Sequence, residues 1–459
     1  MPSITDFPHH AFREYDIRGI AATDITEALA YRLGQAFAAM LPANESRPVI
    51  VGRDVRLSGP DLQTALIRGL NDAGLHVMDI GIVPTPLAYY AVHQLSAAGS
   101  VHVTASHNPS EYNGFKMMIG TSSLHGHDIQ RLKELMQQDI RTDKADGSCT
   151  PFSITDSYTQ FVVNDCPLSR PFKVVIDAGN GPSGMIAAPL YRQLGCEVIE
   201  LYCEPDGRFP NHHPDPTIAE NMVDLANTVR THKADLGIAF DGDGDRVGIV
   251  DEHGTIIWSD MLLLLLSRRL LLEYPGATII SEIKSSQMLY NAIEQAGGKA
   301  VMWRTGHSLI KAKMKETGAL LAGEMSGHLF FADRFFGFDD AAYAGARIMQ
   351  MLADTGSTFS ELLADVPITV ATPEIRIACS DQEKFDVVDQ AIAHFKSMGY
   401  DIIDIDGMRI RFADGWGLLR ASNTQPALVM RFEAPDNKRL SEMRALIESW
   451  LEQNSSYKQ

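Results

Sequence analysis

The chain has 459 residues, of which 45% are hydrophobic, a length and composition that favour several folded domains with ordinary cores. Its 40 basic and 58 acidic residues give a net charge of −18, which disfavours nucleic acid and anionic membranes as partners. The five cysteines form no C-x-x-C pair, and the N-terminus lacks a signal-peptide pattern, so we expect a cytoplasmic protein.

A degenerate strand–helix–strand pattern occurs three times in the first two-thirds of the chain. Each copy has a β-branched strand, a serine where a helix could begin, a glycine where it could end, and a second strand. The serines of the three copies are Ser58, Ser183 and Ser286. Such a repeat predicts three similar α/β domains with mixed or parallel sheets.

The remainder of the chain follows a different pattern. Short strand-like segments separated by Asp-Gly turns follow one helical stretch at 381–397, and a second helix is predicted at 441–453. This predicts a C-terminal α+β domain with an antiparallel sheet. We therefore expect four domains, at residues 1–150, 151–253, 254–366 and 367–459, arranged around a central cleft.

The first chemically distinctive segment is residues 104–109, where an alternating strand runs into a Ser-His-Asn-Pro turn. Ser106 is thus predicted at a strand end, a position open to ligands in α/β sheets. Its hydroxyl could act as a nucleophile or carry a phosphoryl group, with His107 and Lys116 near enough in sequence to assist. A plain turn is the alternative, since Asn-Pro favours turns.

Three carboxylates follow in the second predicted domain, at Asp241, Asp243 and Asp245, with glycines between them and Arg246 directly after. Like charges this close repel unless a cation joins them, and carboxylates suit a hard ion such as Mg²⁺. The arginine offers a fork of donors suited to phosphate oxygens. A solvated acidic turn is an alternative, but an EF-hand is not, because Arg246 stands where that loop requires glycine.

Two later loops offer further polar groups. Residues 323–328 carry Glu324 and Ser326 between glycines, a pair that could hold neighbouring sugar hydroxyls. Residues 420–426 combine an arginine with small hydroxyl and amide side chains between two predicted strands, which is typical of an anion-binding loop. A polar hairpin is the alternative for the second loop. The histidine pair at 211–216 lies between prolines, and we expect it to have a structural role.

Together these segments resemble the α-D-phosphohexomutases, and the resemblance runs from residues 12–19 to the C-terminal loop. Gly-Glu-Met-Ser-Gly-His and Arg-Ala-Ser-Asn-Thr-Gln-Pro are similar to the bacterial phosphomannomutase/phosphoglucomutase branch. Phosphoglucosamine mutases resemble Gly-Glu-Gln-Ser-Gly-His and Ser-Gly-Thr-Glu-Pro instead, so Met325, Asn423 and Gln425 argue against that branch. One departure from the family itself is Glu282, because aspartate often stands two residues before the lysine that is Lys284 here.

The resemblance implies reversible transfer of a phosphoryl group between the 1- and 6-positions of mannose or glucose phosphates, through a hexose 1,6-bisphosphate that also acts as activator. Mg²⁺ would be held by Ser106, which carries the phosphoryl group, with Asp241, Asp243 and Asp245. The other implied catalytic residues are His107, Lys116, Arg246 and His307, with Lys116 and His307 as the candidates for general acid and base. The implied substrate-binding residues are Tyr15, Arg18, Lys284, Glu324, Ser326, Arg420, Ser422, Asn423 and Thr424.

Other functions use part of this pattern. A metal-dependent sugar-phosphate phosphatase would share the carboxylates but needs no second phosphate-binding loop. A phosphoglucosamine mutase is a second alternative. A non-catalytic sugar-phosphate sensor would not need the nucleophile and metal motifs. We expect a monomer whose partners are small hexose phosphates. Because the bisphosphate must turn around between two transfers, we also expect a mobile C-terminal domain.

Overall fold

The computed structural model describes residues 7–138, 140, 145, 147–423 and 425–454. Four β-sheets follow one another along the chain. The first three are mixed sheets with helices packed on them, and the fourth is antiparallel. The predicted fold class, three α/β domains and one α+β domain, is therefore confirmed. Among these residues no helix is both long and apolar enough to cross a membrane.

The first sheet places Ser106 at the end of a central strand. Strand β4 runs parallel to β2 and antiparallel to β5, and the sheet order is β1-β5-β4-β2-β3-β7 with β6 beside β5. The strands are β1 (Ile17–Ile20), β2 (Val49–Arg53), β3 (Val77–Ile82), β4 (Gly99–Val103), β5 (Tyr112–Ile119), β6 (Ser122–Ser123) and β7 (Cys149–Pro151). The helices are α1 (Glu27–Met40), α2 (Gly59–Asp72), α3 (Thr85–Leu95) and α4 (His127–Met136), after a 3-10 turn at His9–Ala11.

The second sheet contains a hairpin whose turn holds the three aspartates. Its strands are β8 (Lys173–Asp177), β9 (Glu197–Leu201), β10 (Leu236–Phe240), β11 (Val247–Val250) and β12 (Ile256–Ile257). The order is β12-β11-β10-β8-β9, with β10 and β11 antiparallel. The helices are α5 (Thr155–Asp165), α6 (Gly184–Gln193) and α7 (Val223–His232), with a 3-10 turn at Ala219–Met222.

The third sheet has the order β14-β13-β15-β16, with strands β13 (Thr278–Glu282), β14 (Lys299–Trp303), β15 (Leu321–Gly323) and β16 (Leu329–Phe331). The turn between β15 and β16 carries residues 324–328. The helices are α8 (Ser259–Glu273), α9 (Gln287–Gln295), α10 (His307–Thr317), α11 (Ala341–Thr355) and α12 (Phe359–Leu362). Helix α8 contains the strongly leucine-rich run of the chain and is largely buried.

The fourth sheet is antiparallel throughout, as predicted. Its order is β17-β22-β21-β20-β19, with β18 also beside β22. The strands are β17 (Val370–Ala371), β18 (Ile375–Ala378), β19 (Asp401–Ile403), β20 (Met408–Phe412), β21 (Gly415–Ala421) and β22 (Ala427–Ala434). The helices are α13 (Lys384–Ser397) and α14 (Asn437–Asn454).

The predicted repeat is confirmed as three parallel strand pairs, β2–β3, β8–β9 and β13–β14, each joined by one helix. The three predicted serines do stand at the helix N-caps, but only Ser286 accepts a backbone hydrogen bond there. The hydroxyl of Ser58 instead accepts a hydrogen bond from the Asn113 side chain at 2.8 Å. A serine pattern therefore located the helix starts without determining how each one is capped.

One large hydrophobic cluster is shared among the first three sheets, beside a separate cluster in each of them. One cluster of buried side chains extends from α3 through α5 and α6 to α8 and α11 without interruption. The fourth domain has its own core, and a small cluster of Ile283, Trp416 and Leu418 lies where it meets the third. Strand β7 ends at Pro151 and β12 at Ile257, close to the predicted division points at 150 and 253, which stay predictions.

Candidate active site

Ser106 follows strand β4 and is 1% exposed. Its backbone has a φ of 51°, in the left-handed region that non-glycine residues rarely adopt. The hydroxyl donates to Asp241 Oδ2 at 2.8 Å and lies 3.1 Å from His107 Nδ1. Two segments that sequence analysis selected separately thus meet through a direct hydrogen bond.

Asp241, Asp243 and Asp245 form a fully buried group in the β10–β11 turn. One carboxylate oxygen from each lies within 4.8 Å of the others. Burial, reinforced by the two neighbouring carboxylates, raises the pKa of Asp241 well above its usual range. For Asp243, burial alone would raise the pKa, but Lys116 and Thr85 outweigh it and hold the pKa below the usual range.

The charge of this group is only partly compensated. Lys116 Nζ donates to Asp243 Oδ2 at 2.8 Å and to Asp245 Oδ2, so a single ammonium ion serves two carboxylates. Burial lowers the pKa of Lys116, yet Asp243 and Asp245 outweigh that effect and raise it well above its usual range. The Oδ1 atoms of both aspartates are buried without a hydrogen-bond partner among the described residues. These unsatisfied oxygens fit a hard divalent cation.

A histidine that the sequence analysis did not select lies beside the aspartates. His328 is 2% exposed, and its Nε2 lies 3.1 Å from Arg246 Nε. Its Nδ1 lies 3.1 Å from the Asp245 carbonyl oxygen and 3.0 Å from Asp339 Oδ2. Because both neighbours of Nδ1 are acceptors, Nδ1 carries the ring proton, and the lone pair of Nε2 faces the Arg246 side.

Asp339 was also missed, and it connects three side chains of the third domain. This fully buried carboxylate lies 3.0 Å from Lys311 Nζ and 3.6 Å from His307 Nδ1, besides its contact with His328. Lys311 is the main group that outweighs burial and holds the pKa of Asp339 well below its usual range. The only sequence signal was its position in Phe-Gly-Phe-Asp-Asp, just before helix α11.

His307, a predicted general acid or base, lies at the start of helix α10 and is half-buried. Its ring stacks on that of His328 with 5.3 Å between the ring centroids. Burial, together with the nearby Lys311 cation, lowers the pKa of His307 well below its usual range, so the ring is neutral. The predicted residue and the missed one therefore form a stacked pair.

Glu324 and Ser326 lie in the β15–β16 turn, where Glu324 is buried and Ser326 half-buried. Glu324 accepts a hydrogen bond from the Gly306 backbone N–H at 2.6 Å, and burial raises its pKa. Lys284 is also buried and pairs with Glu374 of the fourth domain at 2.6 Å. Glu282, the residue that departs from the family, accepts from the Lys284 and Met325 backbone N–H groups.

Tyr15 joins three of the four domains. Its hydroxyl donates to the Thr305 carbonyl oxygen at 2.8 Å and accepts from Asn423 Nδ2 at 3.2 Å. Its ring packs edge-on against His307 with 5.7 Å between centroids. Arg18, in contrast, reaches the serine turn, where it donates to Asn108 Oδ1 at 2.6 Å.

The loop at residues 420–426 faces the same region from the fourth domain. Arg420 is 5% exposed and pairs with Asp406, with 3.0 Å between Nη2 and Oδ2. Asp406 also accepts from the Thr305 backbone N–H at 3.0 Å. Ser422 is buried, and Thr424 lies outside the described residues. The structure thus brings Arg420 and Asn423 to the residues around Thr305 and Tyr15.

The histidine pair at residues 211–216 packs on the aspartate turn. The Gly242 backbone N–H donates to the Pro214 carbonyl oxygen at 3.1 Å. A Cβ at Gly242 would lie 2.4 Å from the Ser106 carbonyl oxygen, so only glycine fits between these segments. His212 contacts Asp177 at 3.0 Å and is separate from the aspartate group. The expected structural role agrees with these contacts.

Four sequence models of known domains match the chain in order. They are described as phosphoglucomutase/phosphomannomutase alpha/beta/alpha domains I, II and III and the C-terminal domain, and they match residues 9–141, 156–254, 258–369 and 374–449. Together these matches cover most of the chain and most strands of each of the four sheets.

Similar proteins and structures cover nearly the full length. A phosphomannomutase/phosphoglucomutase of Pseudomonas putida is 47% identical over 97% of this chain and 96% of its own. A phosphoglucomutase of Neisseria gonorrhoeae is 44% identical over 99% and 98%. The crystal structure of a phosphoglucomutase/phosphomannomutase family protein from Burkholderia thailandensis is 41% identical, with a TM-score of 0.91 and 98% of both chains covered. The chain therefore belongs to the phosphoglucomutase/phosphomannomutase family.

Proposed function

We propose that the protein interconverts the 1- and 6-phosphates of glucose and mannose through a phosphoserine at Ser106 and a hexose 1,6-bisphosphate. The observation that carries this proposal is the 2.8 Å hydrogen bond between Ser106 Oγ and Asp241. It joins a hydroxyl at a strand end to a buried carboxylate group beside an arginine. That arrangement suits the transfer of a phosphoryl group to and from the serine.

The residues around Ser106 divide the chemical tasks. Asp241, Asp243 and Asp245 would hold Mg²⁺, together with an oxygen of Ser106. When bound, this ion supplies charge compensation for the transferring phosphoryl group. Arg246 adds a guanidinium group on the same side, and Lys116 Nζ donates to Asp243 and Asp245 and so positions these carboxylates.

His328 is our proposal for the group that takes and returns the sugar hydroxyl proton. Its Nε2 accepts a hydrogen bond from Arg246 Nε at 3.1 Å and would take the proton once Arg246 binds the phosphoryl oxygens. Its Nδ1–H points to the Asp245 carbonyl oxygen, with the Asp339 carboxylate 3.0 Å from Nδ1. A histidine held by a carboxylate in one tautomer is well suited to general base catalysis. His307, stacked on the same ring and neutral, would support this residue, and His107 would support Ser106.

The other end of the substrate would be held by the opposite loops. Glu324 and Ser326 would bind sugar hydroxyls, and Tyr15, Arg18 and Lys284 would line the cleft. The phosphate that is not being transferred would be bound by Arg420, Ser422, Asn423 and Thr424. In support, Arg420 and Asn423 contact the residues around Thr305 and Tyr15, which also border His307.

Relatives named for phosphoglucomutase and for phosphomannomutase are both similar to this chain. We therefore propose activity on both sugars, which differ only at the carbon 2 hydroxyl. The cytoplasmic location, the monomeric state and the mobility of the fourth domain stay predictions.

A product analysis tests the proposal. The protein would be incubated with glucose 1-phosphate or mannose 1-phosphate, Mg²⁺ and a catalytic amount of glucose 1,6-bisphosphate. We expect the 6-phosphate to form in stoichiometric amounts without free phosphate. Release of inorganic phosphate at the rate of substrate loss would instead indicate a phosphatase. Ser106→Ala provides the matched control, because it removes only the hydroxyl.

A further inference from the structure

Arg56 is a fully buried arginine at the base of the turn that carries Ser106. Its Nε donates to Asp54 Oδ2 at 3.1 Å. Its two terminal nitrogens donate to the backbone carbonyl oxygens of residues 106, 108, 109 and 112, at 2.7, 2.6, 2.6 and 2.9 Å respectively. All five N–H groups of one guanidinium are thus used on one turn and one carboxylate.

This set of contacts fixes the backbone of Ser106 from both sides. Arg56 donates to the Ser106 carbonyl oxygen, and the Ser106 backbone N–H donates to Thr104 Oγ1 at 2.9 Å. The Thr104 hydroxyl in turn donates to Asp54 Oδ2 at 2.7 Å. Asp54 and Arg56 therefore hold both peptide groups of a residue whose φ of 51° is unfavourable for serine.

The second domain covers the same arginine. The guanidinium carbon lies 5.1 Å from the centre of the Phe209 ring, and a Cβ at Gly207 would lie 2.8 Å from the Arg56 Cα. The domain that carries the aspartates thus packs directly on the residue that holds the serine turn. The same two domains also meet at the 2.8 Å hydrogen bond between Ser106 and Asp241.

We propose that Arg56 is a positioning residue that holds Ser106 in its left-handed conformation and so directs Oγ at Asp241. Arg56 would then determine the rate of phosphoryl transfer to and from Ser106 and leave sugar-phosphate binding unchanged. This inference rests on the proposed function. A lysine cannot replace the arginine, because its three donors radiate from one atom and cannot reach five separate acceptors.

The test compares Arg56→Lys with Arg347→Lys. Arg347 is a matched control, because it is also a largely buried arginine, bonded to Asp333 and Tyr343, with no role in the proposed site. For each variant we would measure kcat, KM, the melting temperature and, by rapid quench and intact mass, the rate at which glucose 1,6-bisphosphate phosphorylates Ser106.

We expect Arg56→Lys to lower kcat and the phosphorylation rate by the same factor, roughly 100-fold for a nucleophile displaced by about 1 Å. Its KM should stay within about threefold of wild type. Arg347→Lys should lower the melting temperature while both rates stay within about threefold. Equal rate losses in the two variants, or a raised KM with kcat retained in Arg56→Lys, would overturn the proposal.

A second variant covers the case in which Arg56→Lys does not fold. Thr104→Val replaces by a methyl group the hydroxyl that accepts from the Ser106 backbone N–H and donates to Asp54. It should lower the phosphorylation rate by roughly tenfold with KM unchanged, and an unchanged rate would overturn the proposed positioning of Ser106. If wild type releases free phosphate in place of the isomer, the proposed function fails. The inference about Arg56 is then still judged by the phosphorylation rate of Ser106.

Discussion

Replacement of Asp339 by asparagine tests the arrangement around His328. The carboxylate lies 3.0 Å from His328 Nδ1 and 3.0 Å from Lys311 Nζ, and it is fully buried. Asparagine keeps the size of the side chain but removes the negative charge beside His328, while the Asp245 carbonyl oxygen still accepts from Nδ1–H. Removing the charged member of a buried polar contact costs about 1.5–3 kcal/mol. If that amount supports the general base, kcat should fall by roughly 10- to 100-fold.

Steady-state kinetics with glucose 1-phosphate, run beside thermal denaturation, separates this effect from a loss of stability. Asp333→Asn is the matched control, because that buried carboxylate pairs with Arg347 at 2.6 Å in the same loop without contacting His328. Both variants leave a buried cation without its carboxylate and should lose similar stability. Only Asp339→Asn should lose activity in the fully folded protein.

Activity within twofold of wild type, or an equal loss in Asp333→Asn, would refute the role assigned to His328 and Asp339.

Four other predictions follow from the same geometry. Ser106→Ala should lower kcat by several orders of magnitude and take up no phosphate by intact mass, and a phosphate found on another residue of active wild type would contradict the assignment. Asp243→Asn should raise the Mg²⁺ concentration needed for half-maximal rate, and full activity after chelation would exclude the metal. Arg420→Ala should raise KM and make the rate depend strongly on added hexose 1,6-bisphosphate, whereas a block in Ser106 phosphorylation at saturating bisphosphate would move Arg420 to the catalytic centre. Burial raises the pKa of Asp340 from 3.8 to about 7, so between these pH values the folded protein holds a proton that the unfolded chain has lost, and the free energy of unfolding should fall as pH rises. Asp340→Asn should flatten this dependence of the free energy of unfolding on pH, measured by urea titration, and an unchanged dependence would contradict the prediction.

The elements that were predicted well are those with local signals. The three repeats follow from β-branched strands and the glycines that end their helices, and the antiparallel C-terminal sheet follows from its Asp-Gly turns. The aspartate group was also predictable, because glycines between three carboxylates at alternate positions let the backbone bend until the side chains converge. Periodicity and spacing act over a few residues, so the sequence carries them directly.

The residues that were missed depend on contacts between distant segments. His328 was within a selected loop, yet its importance follows from Asp245 and Asp339, which lie on other elements. Arg56 stands in Gly-Arg-Asp-Val-Arg, where a charged side chain before a helix is typical of a solvated surface. Its burial follows from the serine turn some 50 residues later. No local pattern specifies which carbonyl oxygens such a residue will meet.

The separate core of the fourth domain has a consequence for how the cleft can open. Its boundary with the third domain consists largely of polar contacts, including Arg409 with the carbonyl oxygens of Ile283 and Ser285, and Ser286 with Glu433. Water can replace each of these at a net cost of about 1.5–3 kcal/mol, because a charged group takes part in each. The apolar cluster beside them is small. Separating the other three domains would instead expose many buried leucine, tyrosine and phenylalanine side chains of their shared cluster to water. The boundary between the third and fourth domains, which borders the proposed phosphate-binding loop, should therefore open most readily. The relative positions of Ser106 and the three aspartates should stay fixed while it opens.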